Sequence, residues 1–169
     1  MPVVVRRGKG ADDPDFVRLF DREFARLVSA LAVSAGSVDV AADAVQDAFL
    51  QLHRHWGKVR YYDDPGGWVR RVAVHRLRDA QRSDRRRYAA LPRLWEPISV
   101  DLPESTADVI NMVARLPRKQ RIAVCLYYIA DLSLADIAVA LDVSVGTIKS
   151  QLHDARSTLR AGMEVNDGI

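Results

Sequence analysis

Lys149, Ser150 and His153 follow one another at spacings that put an ammonium, a hydroxyl and an imidazole on one face of a helix, with Gly146 and Ser157 beside them. Such a small, polar, cationic face suits a helix lying in the major groove of DNA, where these groups meet base edges and phosphates. Ile148, Leu152, Ala155 and Leu159 recur every three or four residues on the opposite face and form a stripe for packing. Upstream, Ser133 predicts an N-cap with Asp136 reaching back toward it, and Ile137, Ala138 and Leu141 give that shorter helix its buried side. Asp142-Val143-Ser144 breaks the pattern, and Ser144 predicts the cap of the second helix, whose N-terminal N–H groups add a phosphate site. The stretch Leu132–Arg160 therefore reads as a helix-turn-helix. Asp142 stands where a turn glycine is most common, and aspartate tolerates the left-handed conformation better than most residues.

A second set of basic residues lies earlier. Between Arg70 and Arg87 eight arginines (70, 71, 76, 78, 82, 85, 86 and 87) face only Asp79 and Asp84, an electrostatic footprint for phosphates or a solvated helix end. Tyr61 and Tyr62 lie just before the helix that carries this block. Basic side chains beside exposed aromatics hold unstacked bases by stacking and charge; a partly buried loop pair is the other reading of the two tyrosines. A third set, Asp43, Gln46 and Asp47, sits on the outer face of a helix and reads either as a solvated acidic face or as a dock for a basic partner.

Length and composition bound what these sets can belong to. The 169 residues suffice for one ordinary domain or two small ones, and 25 Lys and Arg against 22 Asp and Glu leave a net charge of +3. Cys125 is the only cysteine, which excludes a disulfide framework or a thiolate zinc site, and His53 and His55 face different sides of a helix. No Gly-rich phosphate loop, metal cluster or nucleophile-base-acid set stands in the chain, which argues against an enzyme and predicts no cofactor. No apolar run reaches membrane-spanning length, so membrane insertion is not expected and a reduced, cytoplasmic setting is.

The elements that position the three sets are all helical. Residues 1–14 read as a flexible N-terminal tail with Gly8, Gly10 and Pro14 as breakers. Asp15 opens a helix with Phe16, Leu19, Phe20, Phe24, Leu27 and Leu31 on its apolar face, ended by Gly36. A second helix spans about Val38 to Val59, with Ala41, Ala42, Val45, Phe49, Leu52 and Trp56 inward. Asp64 and Pro65 predict the N-cap and first position of a third. In that helix Trp68, Val69, Val72, Ala73, Leu77 and Ala80 form the buried stripe, and Arg70, Arg71, His75, Arg78, Arg82 and Arg85 the opposite face. Pro92, Pro97 and Pro103 punctuate a linker, after which Val109, Ile110, Met112, Val113 and Leu116 restart the helical period. Pro117 begins a helix with Ile122, Cys125, Leu126 and Ile129 that leads into the helix-turn-helix. The expected architecture is all-α: two small helical domains, 15–88 and 105–161, joined by a Pro-containing linker at 89–104, with a C-terminal tail at 162–169.

Two separated stretches resemble one family, the bacterial sigma factors. Leu116-Pro117, Arg121, Asp136-Ile137-Ala138 and Gly146-Thr147-Ile148-Lys149-Ser150 are similar to the promoter-reading region 4. Asp43, Gln46, Asp47 and Phe49 resemble the polymerase-binding helix of region 2, and Trp68, Asp79 and Arg82 its DNA-melting helix. With only these two regions and a short chain, the resemblance is to the extracytoplasmic-function (group 4) members of the sigma-70 family. His75 stands where an Asn is usual in the melting helix, and Asp154 where an Arg is common.

The resemblance implies a non-catalytic initiation factor. It implies binding to core RNA polymerase, with Asp43, Gln46, Asp47 and Phe49 on the β′ clamp helices and the second domain on the β flap. It implies that Lys149, Ser150 and His153 read the −35 duplex while Thr147, Arg156 and Arg121 contact phosphates. The −10 element would be opened and captured by Tyr61, Tyr62, Trp68, Arg71, His75, Arg78 and Arg82, and an anti-sigma protein is the expected regulator. A stand-alone helix-turn-helix regulator on duplex operator DNA is the alternative, which leaves the acidic face and the basic helix without a role.

Overall fold

The structure, a computed structural model, describes residues 12–87 and 104–166. Residues 89–103 of the sequence-predicted linker, most of the N-terminal tail and the last three residues lie outside the described residues, and Glu104, the last residue of that expected linker, opens a helix. Seven helices make up the described chain: α1 Pro14–Ala35, α2 Val38–Val59, α3 Pro65–Arg87, α4 Glu104–Ala114, α5 Arg118–Tyr128, α6 Leu134–Leu141 and α7 Val145–Asn166. The all-α expectation holds, and α7 runs on past the 161 boundary expected for its domain.

Local chemistry explains most of the helix ends. Pro14 is not a breaker but the first residue of α1, where its missing N–H costs nothing; Asp13 caps that helix through the Asp15 amide at 2.9 Å. Gly36 closes α1 in the left-handed region, φ 72°, donating its N–H to the Ala32 carbonyl at 2.8 Å. Ser37 caps α2 through the Val40 amide. Asp64 accepts from the Gly67 amide at 2.8 Å and caps α3 as expected. Ser133 and Asp136 form the expected reciprocal pair at the start of α6: the Asp136 amide donates to the Ser133 hydroxyl at 3.1 Å, and that hydroxyl donates to the Asp136 carboxylate at 2.7 Å.

The three helices of the first half pack on one another, and α5, α6 and α7 do the same in the second. The halves do not stand apart as two tethered units. α1 packs on α5, α3 on α6, and the buried residues of both halves form one continuous cluster. Two stretches carry the mark of this contact. Ala30, Leu31, Ala32, Val33 and Ser34 are buried in succession, as are Ile122, Ala123, Val124, Cys125 and Leu126. A helix covered on one side only cannot bury five residues in a row, since 100° per residue carries them right round the axis. Those turns of α1 and α5 are covered on every side, and small residues such as Ala30, Ala32 and Ala123 allow the close approach. The buried Cys125 thiol is pushed up to about 12 by burial, only partly opposed by Arg121, so it stays protonated.

Candidate nucleic-acid interface

The helix-turn-helix is built as its residues predict. Asp142 adopts the left-handed conformation, φ 58° and ψ 48°, and its N–H closes on the carbonyl of Val139 at 3.3 Å. Ser144 caps α7 by accepting from the Thr147 amide at 3.1 Å, and its hydroxyl lies 2.9 Å from that of Thr147. Ile148, Leu152 and Ala155 are buried against α5 and α6, while Gly146, Thr147, Lys149, Ser150, His153 and Ser157 are exposed. A capped helix N-terminus beside an ammonium, an imidazole and hydroxyls is thus open to a polyanion.

Arg156 and Arg121 have protein partners. The Arg156 guanidinium donates to the Tyr128 hydroxyl at 2.9 Å and stacks between the rings of Tyr127 and Tyr128, with centroids 5.7 and 5.8 Å away. That arrangement holds an exposed charge in one orientation. Arg121 is half-buried and donates to the Ala114 carbonyl at 2.7 Å, tying the end of α4 to α5.

In the first half, Tyr61 is 79% exposed and Tyr62 42% exposed, so neither is buried in the loop. Arg60 places the loop: it pairs with Asp13 and lies over the rings of Trp56 and Tyr61 at 5.9 and 5.5 Å. Trp68 is half-buried with its ring 6.2 Å from that of His55. His75 and Arg82 are exposed, Arg78 is half-buried, and Arg82 lies 3.5 Å from Asp79. Arg71 is exposed but already paired, 3.4 Å from Asp142 in the turn of the helix-turn-helix.

Arg70 corrects the sequence reading. The helical wheel assigns it to the outer basic face, yet it is only 6% exposed. The reason is Glu23, wholly buried on α1, which accepts from Arg70 Nε at 3.1 Å and from Nη2 at 3.3 Å. Arg70 Nη1 lies a further 3.1 Å from Asp136 of α6 and 3.7 Å from Asp64. Burial alone would raise the Glu23 carboxyl; the bonds and charge of Arg70, with Arg22 and Arg26 alongside, hold it below its ordinary 4.5. Asp136 is likewise held low, its burial outweighed by the Ser133 hydroxyl and Arg70.

Gly66 serves the same cluster. A side chain there would sit 2.8 Å from Arg70 Nη2, so the glycine leaves the room the guanidinium occupies. Reasoning from periodicity missed Glu23, because it pairs with a residue 47 positions away. The one available signal was a charged residue inside the otherwise apolar stripe Leu19, Phe20, Phe24 and Leu27.

On α2, Asp43, Gln46 and Asp47 share an exposed face with Leu50, and Asp47 lies 3.7 Å from Arg76 of α3. Phe49 does not join them: it is 4% exposed and packs edge-on to Phe16 and Phe20, with centroids 6.4 and 5.0 Å away. Its place is in the core, where it fixes the helix that carries the acidic face. Among the described residues no three His, Cys, Asp or Glu side chains are grouped to hold a metal, and no helix is long and apolar enough to cross a membrane.

Comparison with known proteins matches both halves to one family. Residues 19–87 match Sigma-70 region 2, and residues 106–159 match Sigma-70 region 4. The ECF RNA polymerase sigma factor SigM of Mycobacterium tuberculosis is 32% identical over 150 residues, which span 85% of this chain and 74% of that protein. The RNA polymerase sigma-E factor of Streptomyces avermitilis is 28% identical over 163 residues, 95% of this chain and 89% of the relative. Among solved structures, the sigma factor RpoE in complex with the anti-sigma factor NepR from Bartonella quintana superposes with a TM-score of 0.76 at 20% identity, over 89% of this chain and 98% of that one. With region 2 on α1–α3, region 4 on α4–α7 and this degree of identity along most of its length, the chain belongs to the ECF sigma factors of the sigma-70 family.

Proposed function

We propose that this protein directs core RNA polymerase to promoters by reading two DNA elements with its two halves, taken as residues 15–88 and 105–161. The observation that carries the reading is the α7 face: Thr147, Lys149, Ser150 and His153 are exposed at a Ser144-capped N-terminus, with Ile148, Leu152 and Ala155 buried behind them. In this reading Lys149, Ser150 and His153 meet base edges of the −35 duplex. Thr147 and the helix N-terminus meet its phosphates, and Arg156 and Arg121 add positive charge from behind.

In the first half, Tyr61 and Tyr62 take unstacked bases of the −10 strand. Trp68, Arg71, His75, Arg78 and Arg82 line the path of its backbone. No bond is made or broken by the protein. Binding the displaced strand more tightly than the duplex shifts the promoter toward its melted form, as any ligand shifts an equilibrium by its differential affinity. Asp43, Gln46 and Asp47 dock on the β′ clamp helices and the second half on the β flap, so two modest DNA contacts gain from being held on one platform. An anti-sigma protein is the expected regulator and the cytoplasm the expected compartment.

Run-off transcription with core polymerase tests the whole. Discrete transcripts that depend on the added protein support it. Tight binding to an operator by the protein alone, with no stimulation of polymerase, replaces it with a stand-alone duplex-binding regulator.

A further inference from the structure

We propose that Arg60 is a positioning residue for Tyr61. Held by Asp13 at the capped start of α1 and seated on the buried Trp56, its guanidinium backs one face of the Tyr61 ring and leaves the other for an unstacked base. This role rests on the reading that Tyr61 takes a base of the −10 strand. It adds Asp13 and Arg60, neither of which touches DNA in that reading.

The stack begins in the core. Trp56 is buried and meets the Phe16 ring of α1 edge-on, with centroids 5.3 Å apart, so packing fixes its place. The Arg60 guanidinium lies 5.9 Å from the centre of the Trp56 ring and 5.5 Å from that of the exposed Tyr61. A flat, delocalised cation can serve two rings in this way. The attraction at an exposed ring is modest, so what Arg60 supplies is chiefly orientation.

Asp13 holds the guanidinium in turn. Its carboxylate is divided between two tasks: Oδ1 accepts from the Asp15 amide at 2.9 Å and caps α1, while Oδ2 accepts from Arg60 Nη1. Asp15 lies a further 3.9 Å from Arg60 Nη2. The backbone end of Arg60 is set as well, because its N–H closes α2 on the Trp56 carbonyl at 3.0 Å. The Tyr61 and Tyr62 amides donate back to the Lys58 and Val59 carbonyls at 3.2 and 2.9 Å. With the loop backbone wound against the end of α2, the Tyr61 side chain is the part that Arg60 fixes.

Fixing an exposed ring favours capture. A tyrosine free to turn gives up rotamer freedom when a base settles on it, and a ring already held has less to lose. Such a gain is realised only through Tyr61. A direct phosphate contact by Arg60 would act whether or not residue 61 carries a ring, which makes the two roles separable.

The test is a double-mutant cycle on core polymerase complexed with the full chain. Fluorescence anisotropy follows binding of a labelled single-stranded oligonucleotide that carries the −10 sequence of a promoter located by run-off transcription. Arg60→Ala is expected to weaken binding about three- to tenfold, part of the worth of one stacked base. Asp13→Asn keeps a capping side chain on α1 but removes the charge facing Arg60, and is expected to cost about two- to threefold. In a Tyr61→Ala background both losses are expected to vanish, and in a Tyr62→Ala background to persist. The slope of log affinity against log salt is expected to stay unchanged, as is the melting temperature of the free chain with Asp13→Asn.

A loss that persists without the Tyr61 ring, or a salt slope reduced by about 0.7, assigns Arg60 to a phosphate and overturns the proposal. So does a loss confined to variants whose melting temperature has fallen. Wild-type complex that does not bind the single strand fails the reading of Tyr61 itself, and this role with it. Wild-type binding that Arg60→Ala leaves intact fails this role alone.

Discussion

α3 and α7 are the two helices proposed to meet DNA, and they keep their charges differently. On α7 the buried stripe and the exposed polar face separate cleanly, and Lys149 and His153 face solvent beside a capped N-terminus. On α3 the first two arginines are engaged within the protein, Arg70 with Glu23 and Asp136 and Arg71 with Asp142. The difference teaches that a basic run in a sequence counts charges but not free charges. Arg70 is a structural cation and Arg71 is held by the other half of the molecule, while His75 and Arg82 further along α3 are exposed, Arg82 beside Asp79 of its own helix.

The contrast can be broken hardest at its buried end. Glu23→Ala leaves Arg70 without its main partner in the core and should cost about 3–5 kcal/mol in urea denaturation, whereas replacing Glu23 and Arg70 together by methionine should cost far less. If Glu23→Ala costs no more than an exposed substitution, Arg70 is not the structural cation described. Asp47→Arg should lower affinity for core polymerase by several kcal/mol through like-charge repulsion, with the circular dichroism spectrum unchanged. Wild-type affinity in that variant would remove α2 from the docking surface.

Smaller effects sharpen the α7 side. Lys149→Ala should weaken duplex binding across all sequences and reduce the slope of log affinity against log salt by about 1, as expected for one phosphate contact. An unchanged slope would take Lys149 off the DNA. Acid gives a graded measure of the buried pair. The Glu23 and Asp136 carboxyls are both lowered in the folded protein, so the stability they lend is complete above the ordinary carboxyl value and is lost as pH falls through the lowered one. Urea midpoints followed from about pH 6 to about pH 3 should therefore fall more steeply for the wild type than for the double methionine variant.

Much of this was legible in the chain because it is local. Caps at Asp64, Ser133 and Ser144, the Gly36 stop and the left-handed Asp142 depend on neighbours a few residues away, and each stands where its residue type predicts. The exposed face of α7 follows from periodicity alone. What periodicity could not reach was pairing across the fold. Arg70 sits on the polar side of an ideal wheel, and only the arrival of Glu23 from α1 and Asp136 from α6 turns that side inward. Phe49 is the reverse case: periodicity placed it inward, resemblance assigned it to a docking surface, and the aromatic cluster with Phe16, Phe20 and Phe24 agrees with periodicity. The packing of α1 on α5 was hidden for a related reason, since Ala30–Ser34 reads as an ordinary helix end until a second helix covers it.

The division of labour between the halves is tested most directly by permanganate footprinting of unpaired thymines on a promoter bound by core polymerase and this protein. Wild type should expose reactive thymines at the −10 element while protecting the −35 duplex. Tyr61→Ala with Tyr62→Ala should lose the reactivity and keep the protection. Melting undiminished in that variant, or upstream protection lost together with melting, would contradict the account.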